Sequence, residues 1–409
     1  MLQHPDALLE RLDTLSALMR RRHLWEPRPF ILHRLPWEDD HPDLSAWLRR
    51  LTTPQILAIE ENPFVLQGAT PGVYLEWASA SQAATAIGAF AQGAKDAAGL
   101  EGPHVRFKIP GRKWTQVRSF AQVALWTMPP GATRIVDWCA GKGHLGRALG
   151  AATGLPVRLI ERQGRLGPLA RRLAGRLRLD VEFIEADALD PGAGRHIDAD
   201  TVAVGLHACG ALTSTLLEGA CRAGARAVLV APCCHHFLGP ATSFIPMSRA
   251  ARDADLPLAP HQLRLSIADD VLAPGRDRRR RAREQSWRQG FDLLVREATG
   301  REAFTSLGIL PPDAPADSFE RFCRAMAAQL DLPLPSRWDP DRAEAAGQER
   351  ARLARALGLV RALFRRPMEL WIVLDRALYL TEQGRPAQLG AFCDRADSPR
   401  NLLIASCLP

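Results

Sequence analysis

The chain has no apolar run near the ~20 residues that a bilayer span requires, no internal repeat and no low-complexity block. A membrane-spanning helix, a solenoid and a largely disordered chain are thereby excluded. Lysine is scarce, with only Lys95, Lys108, Lys113 and Lys142, so the net charge of +8 is built almost wholly from arginine. Cysteine is present eight times, but no C-x-x-C pair occurs. With an adjacent Cys233-Cys234 pair and no export signal, that usage fits a reduced, cytoplasmic protein. Near the N-terminus Asp6, Glu10 and Asp13 interrupt the apolar pattern and Arg20 to Arg22 follow it, as in an amphipathic soluble helix rather than a signal peptide. What remains is ordinary globular composition, 46% hydrophobic and 24% charged over 409 residues, enough for two to three domains.

The arginines cluster. Arg276, Arg278, Arg279, Arg280, Arg281 and Arg283 form one run, and Arg165, Arg171, Arg172, Arg176 and Arg178 a second. A third gathers His104, Arg106, Lys108, Arg112, Lys113 and Arg118. Such runs suit a polyanion such as RNA, and equally suit solvated helix faces. Trp114 and Trp287 lie in or beside them, where an indole can stack on a base or pack inward.

Residues 1–110 read as a mostly helical N-terminal region. Leu8, Leu9, Leu12, Leu15 and Leu18 follow a helical period, Ser79 to Lys95 is an alanine-rich helix candidate, and Trp37 to Pro42 reads as a loop. A helix from Trp114 to Met128 stops at Pro129-Pro130-Gly131. The pattern then changes. Aliphatic or β-branched runs at Arg134–Val136, Val157–Ile160, Val181–Ile184, Thr201–Leu206 and Ala227–Val230 alternate with helical segments. That alternation predicts an α/β fold with a doubly wound parallel sheet, whose ligands bind at the strands' carboxyl ends. We place this core at 111–245. A basic, mostly helical insertion at 246–366, with helices near Arg279–Thr299 and Phe319–Leu330, reads as a cap over the ligand edge. At 367–409 a closing helix precedes a β-hairpin made by Gln388–Cys393 and Asn401–Ser406, with Asp397-Ser398-Pro399-Arg400 at the turn.

Between the first strand and its helix stands Asp137-Trp138-Cys139-Ala140-Gly141-Lys142-Gly143-His144-Leu145-Gly146. Its G-x-G-x-x-G permits NAD or S-adenosylmethionine. Asp137, four residues before Gly141, matches the acidic start of a D-x-G-x-G-x-G methyltransferase loop, with Cys139 in place of the first glycine. Glu161 ends the second strand, where a carboxylate accepts ribose hydroxyls of either cofactor. Asp187 follows the third, in position to bond an adenine amino group. The donor-side set is therefore Asp137, Cys139, Ala140, Gly141, Gly143, His144, Glu161 and Asp187.

Two further tips carry chemistry. His207-Ala208-Cys209-Gly210 follows the fourth strand and Cys233-Cys234-His235-His236 the fifth, and neighbouring strands would bring them together. Three readings stay open. His207 or His236 is a general base or orienting group, Cys233 or Cys234 is a nucleophile, or the cluster binds zinc. Spacing argues against zinc, because adjacent cysteines do not easily reach one tetrahedral ion, and no metal is expected. The Asn/Asp-Pro-Pro-aromatic loop of exocyclic amino methylation is absent.

Together these segments resemble a group of class I methyltransferase-like proteins with a D-x-C-A-G-K-G-H-x-G-R loop, H-x-C-G after strand four and C-C-H-H after strand five. The group is similar to eukaryotic tRNA 2′-O-methyltransferases of the acceptor stem. The resemblance covers about 110–240 and returns at Leu370–Ser406. It implies a methyltransferase with S-adenosylmethionine as cofactor and RNA as partner, acting on a 2′-hydroxyl or a base. It also implies acceptor-side roles for His207, Cys209, Cys233, Cys234, His235 and His236. Relatives often carry Lys-Lys-x-His-Glu before the first strand; here Arg112-Lys113-Trp114-Thr115-Gln116 keeps the basic pair and loses the His-Glu pair. A non-catalytic adaptor on the same fold binding RNA or protein, a methyltransferase for a protein or small molecule, and an NAD-dependent oxidoreductase are the alternatives.

Overall fold

Four of the five aliphatic runs become strands because they are apolar enough to be covered on both faces, while the edge run at 181–185, also a strand, carries exposed Glu182 and Glu185. In the computed structural model, which describes residues 2–32, 34–90, 97–267, 275–308, 310, 314 and 317–408, the five are β1 (Arg134–Trp138), β2 (Val157–Glu161), β3 (Val181–Glu185), β4 (Thr201–Cys209) and β5 (Ala227–Cys233). The hairpin supplies β6 (Gln388–Ala391) and β7 (Leu402–Cys407). One seven-stranded sheet results, in the order β3-β2-β1-β4-β5-β7-β6. The first five strands run parallel and β7 pairs antiparallel with both β5 and β6. This is the doubly wound, Rossmann-like sheet of class I methyltransferases. β5 is buried throughout, as a strand covered on both faces must be.

The chain divides into two compact units, and neither is continuous in sequence. The sheet unit comprises residues 1–20, 83–269 and 365–409; the helical unit comprises 21–82 and 270–364. The expected N-terminal region at 1–110 is thus shared between them, as is the insertion at 246–366. In the sheet unit the helix Gly111–Thr127 places Val117, Phe120, Ala121 and Ala124 in the core with Ile135, Leu149 and Leu159. Helix Arg365–Glu382 is buried on nearly all sides. Its Asp375 accepts the Met247 and Ser248 N–H groups at 3.0 and 2.8 Å.

Two helical expectations shift. Leu9 stays exposed on helix Pro5–Met19, whose Leu8, Leu12, Leu15 and Leu18 are buried. The helix expected over Ser79–Lys95 instead runs Gly72–Thr85. Alanine favours helix at every position and therefore cannot mark an end; Lys95 lies outside the described residues. In the helical unit, helices Gly275–Thr299 and Phe319–Leu330 pack Trp287, Phe291, Phe322 and Met326 into a core of their own.

Candidate active site

All five parallel strands end at one edge, so the segment after each contributes there. Between β1 and helix His144–Thr153 the loop holds Cys139, Gly141 and Gly143 at φ of 58°, 56° and 68°. At Gly143 a side chain is excluded twice over: the backbone is left-handed and a Cβ would stand 2.6 Å from Leu159 Cδ1. Cys139 keeps its side chain in the same conformation and is half-buried. The Ala140 N–H donates to Ile160 O at 3.0 Å, tying the loop to β2.

The acidic residues brace this loop. Asp137 is buried and its Oδ2 accepts the Gly146 N–H at 2.8 Å, satisfying a donor in the helix's first turn. Glu161 is buried too, its Oε2 accepting the Gly141 N–H at 2.9 Å and its Oε1 the Gln163 N–H at 3.0 Å. Each oxygen retains a second lone pair for a ligand. Asp187 is exposed and its Oδ1 accepts the Leu189 N–H at 2.9 Å. Burial raises the Asp137 carboxyl to about 7, opposed by the Gly146 bond and by Lys113 and assisted by Glu161. Burial also raises the Cys139 thiol to about 12, with Glu161, Asp137, Cys209 and Asp187 adding negative field. His144 opens the helix with a buried, unpartnered Nδ1, and burial plus Arg147, Lys113 and Lys142 lower it to about 4.

At the end of β4 the ladder with β5 slips between Leu206 and Ala208, and His207 sits in this irregularity at φ 62°. Such a bulge re-aims a side chain at a strand end. His207 Nε2 lies 3.0 Å from Gln116 Oε1, while Gln116 Nε2 donates to Asp397 O at 2.8 Å. The Asp397 carbonyl can only accept, so it fixes the amide orientation, and the amide oxygen in turn assigns the His207 proton to Nε2. Nδ1 is then the lone-pair nitrogen. Burial, with Lys113 close by, lowers His207 to about 4 and keeps it neutral.

Sequence reasoning missed Gln116 and Lys113 as site residues. Gln116 stands where relatives carry glutamate, and that substitution was the available signal. Lys113, from the same helix, faces Asp137 and Cys233 in a buried setting that lowers its pKa.

The thiols converge. Cys209 and Cys233 are paired across β4 and β5 with their Sγ atoms 3.3 Å apart, and both approach the His207 carbonyl, at 3.6 and 3.3 Å. Cys234 turns the chain at φ 45°, and its Sγ joins the other two within 4.8 Å. Spacing makes adjacent cysteines unfavourable partners for one centre, yet here the left-handed Cys234 folds its thiol back towards the other two. Gly210 admits the Phe237 and Cys234 carbonyls to the same turn, since a Cβ there would lie 1.9 Å from Phe237 O and 3.0 Å from Cys234 O. Its N–H bonds Cys233 O at 2.8 Å.

All eight cysteines are free. Hydrogen bonds from Cys209 and Cys233 pull the Cys234 thiol pKa down, with His236 and His235 assisting, while the same sharing pushes Cys233 up. His235 is buried and lowered to about 3 by burial and by Arg376 and Arg400; its Nε2 lacks a partner. His236 is half-buried, its Nδ1 likewise unpartnered.

The structure sorts the basic runs. Arg276, Arg278 to Arg281 and Arg283 are exposed on helix Gly275–Thr299. Arg171 and Arg176 lie over the rings of Phe183 and Phe107, at 5.7 and 4.2 Å from the centroids. Trp287 cannot stack on a base as considered: it is buried against Phe319 and Phe322, and its Nε1 donates to Glu344 at 2.7 Å. Trp114 is partly buried against the sheet unit's core. Among the described residues no helix is long and apolar enough to cross a membrane.

Residues 112–240 match the methyltransferase-domain family. That stretch spans β1 to β5 and every candidate residue named above. A curated Xenopus laevis protein, a glutathione S-transferase C-terminal domain-containing protein, is 36% identical over 131 residues, or 31% of this chain. The chain spans only 20% of that relative's length. A chain in the crystal structure of a fibrillarin/Nop5p complex shares 15% identity at a TM-score of 0.24, covering 29% of this chain and 59% of that one. At that overlap it carries no argument.

Proposed function

We propose that the sheet unit binds S-adenosylmethionine through Asp137, the Cys139–Gly143 loop, His144, Glu161 and Asp187, and transfers its methyl group to RNA. The observation that carries this reading is the methyltransferase-domain match over residues 112–240, which contains the β1 loop and the Asp137, Glu161 and Asp187 carboxylates at the strand ends. Asp137, Glu161 and Asp187 all project negative field onto Cys139. On the same loop His144 lies in the positive field of Arg147, Lys113 and Lys142, so charge alone does not choose between a diphosphate and a sulfonium. Glu161 also keeps free lone pairs suited to vicinal hydroxyls. Gly141 adds room, because a Cβ there would touch nothing within 4 Å.

When bound, the cofactor supplies a methyl carbon open to in-line displacement. The chain's own contribution is orientation and proton handling. Asp397 and Gln116 fix the His207 tautomer and burial keeps the ring neutral, leaving Nδ1 to accept a proton from an acceptor hydroxyl. Lys113 sets positive charge beside Asp137 and Cys233. The exposed arginines of helix Gly275–Thr299 supply a sequence-independent grip on phosphates.

Titration calorimetry with S-adenosylmethionine and, in parallel, NADH tests the cofactor. Binding of the former that Asp137→Asn weakens at least tenfold supports the reading, and binding of NADH alone overturns it. Label from tritiated S-adenosylmethionine recovered in RNA and released by ribonuclease supports the acceptor. Label in protein instead makes the acceptor a polypeptide. Cofactor binding with full cellular function in His207→Ala and Cys233→Ala favours the adaptor.

A further inference from the structure

We propose that Cys209, Cys233 and Cys234 bind one thiophilic divalent cation, of the Zn²⁺ class, through their three sulfurs. Zinc–sulfur bonds of about 2.3 Å in a tetrahedron set sulfurs about 3.8 Å apart. Here one pair stands at 3.3 Å and all three sulfurs lie within 4.8 Å of one another. The ion therefore needs only small rotations of side chains already in place.

Three independent backbone features build the trio. The β4–β5 register sets Cys209 opposite Cys233, the left-handed Cys234 folds its side chain back, and Gly210 lets the Phe237 carbonyl approach where no other residue fits. Packing alone has no use for such convergence. A thiol is a weak donor and weak acceptor, and the hydrogen bonds these three make, to each other and to one carbonyl, do not account for two positive-φ residues and a bulge.

Sulfur donors select soft or borderline ions over calcium or magnesium. Among the described residues this is the one convergent group of His, Cys, Asp or Glu donors, and no fourth such donor joins it. A three-ligand site leaves one position for water or an acceptor oxygen, the pattern of reactive rather than structural zinc. Cys209 and Cys234 are half-buried, so that position is reachable from outside. The assignment does not rest on methyl transfer: a chain that binds the ion and no cofactor upholds it while sinking the proposed function.

The test uses the reduced full chain, stripped with chelator and titrated with Co²⁺ and then Zn²⁺. The expected result is one Co²⁺ per chain with thiolate-to-cobalt charge-transfer absorption and intense tetrahedral visible bands, both displaced by Zn²⁺. Cys209→Ser and Cys234→Ser each weaken Co²⁺ at least tenfold, whereas Cys221→Ser does not. Should those variants fail to fold, alkylation mapping of the wild-type chain decides. Zn²⁺ shielding Cys209, Cys233 and Cys234 while leaving Cys221 reactive supports the site. Cobalt absorption without thiolate bands, no shielding, or a Cys209–Cys233 disulfide as the resting state overturns it.

Discussion

Asp137 in the sheet unit and Asp292 in the helical unit are both buried carboxylates, and they are held in opposite ways. Asp292 accepts the Thr305 N–H at 2.6 Å and Arg296 at 2.8 Å, and is also paired with Arg350. Its charge is neutralised by its own chain. Asp137 accepts the Gly146 N–H and has Lys113 in its field, and burial lifts it to about 7. A buried carboxylate with partners on both oxygens closes a structure; one left half-compensated at a strand end keeps affinity for something cationic brought from outside.

That contrast can be broken. The largest effect expected is from Asp292→Ala, which removes the buried carboxylate shared by Arg296, Arg350 and the Thr305 N–H and costs the helical unit about 3–5 kcal/mol. Urea unfolding followed by far-UV circular dichroism reads the loss, and S-adenosylmethionine affinity stays unchanged. An Asp137→Asn variant losing as much stability would erase the distinction between the two carboxylates.

Next comes Gly210→Ala. Forcing a side chain into a left-handed residue against a carbonyl costs about 1–3 kcal/mol. The thiols at 209, 233 and 234 then gain alkylation reactivity together. Unchanged melting and unchanged thiol kinetics would show that this turn is not what assembles the cluster.

A smaller, pH-dependent effect belongs to Asp137. Its folded pKa of about 7 lies above the unfolded carboxylate value of about 3.9. The associated stability is complete below the unfolded value and is lost as pH rises through 7. Asp137→Asn removes that loss, so the variant gains on the wild type between about pH 4 and 7 in melting experiments. Cofactor affinity should move the other way in the wild type, rising through about pH 7 as the carboxyl ionises beside the proposed cation. A flat profile would detach Asp137 from the binding reading.

The smallest effect on the fold is expected from replacing Arg278 to Arg281 with glutamine. Melting stays put, and the salt dependence of RNA binding flattens by about 0.7 in log–log slope per phosphate contact removed. An unchanged slope would leave the arginine run a solvated helix face.

Much of the sheet was legible, because parallel strands covered on both faces must be continuous aliphatic runs, and turns between them need glycine or proline. The strands extend the expected runs by one to three residues at their carboxyl ends, into Trp138, Glu161, Cys209 and Cys233. Of these, Glu161, Cys209 and Cys233 are site residues that apolar periodicity could not include, and Trp138 is buried with its Nε1 donating to Leu212 O. The division into units was not legible as a linear sequence of regions. Packing joins 21–82 to 270–364 across almost two hundred residues, and hydrophobic cores form by contact, not by order along the chain. Gln116 escaped notice because its role depends on His207 and Asp397, which are far from it in sequence.

By itself the sequence determined the α/β class, the five parallel strands and the residue types at their tips, since hydrophobic period and turn chemistry are local properties. Only the tertiary structure decided which of those tips act together. It set the tautomer of His207 through a glutamine and a distant carbonyl, raised one aspartate while a second stayed paired, and folded adjacent cysteines onto a third. Each of these depends on distances and burial among groups remote in sequence, and no local pattern carries that information.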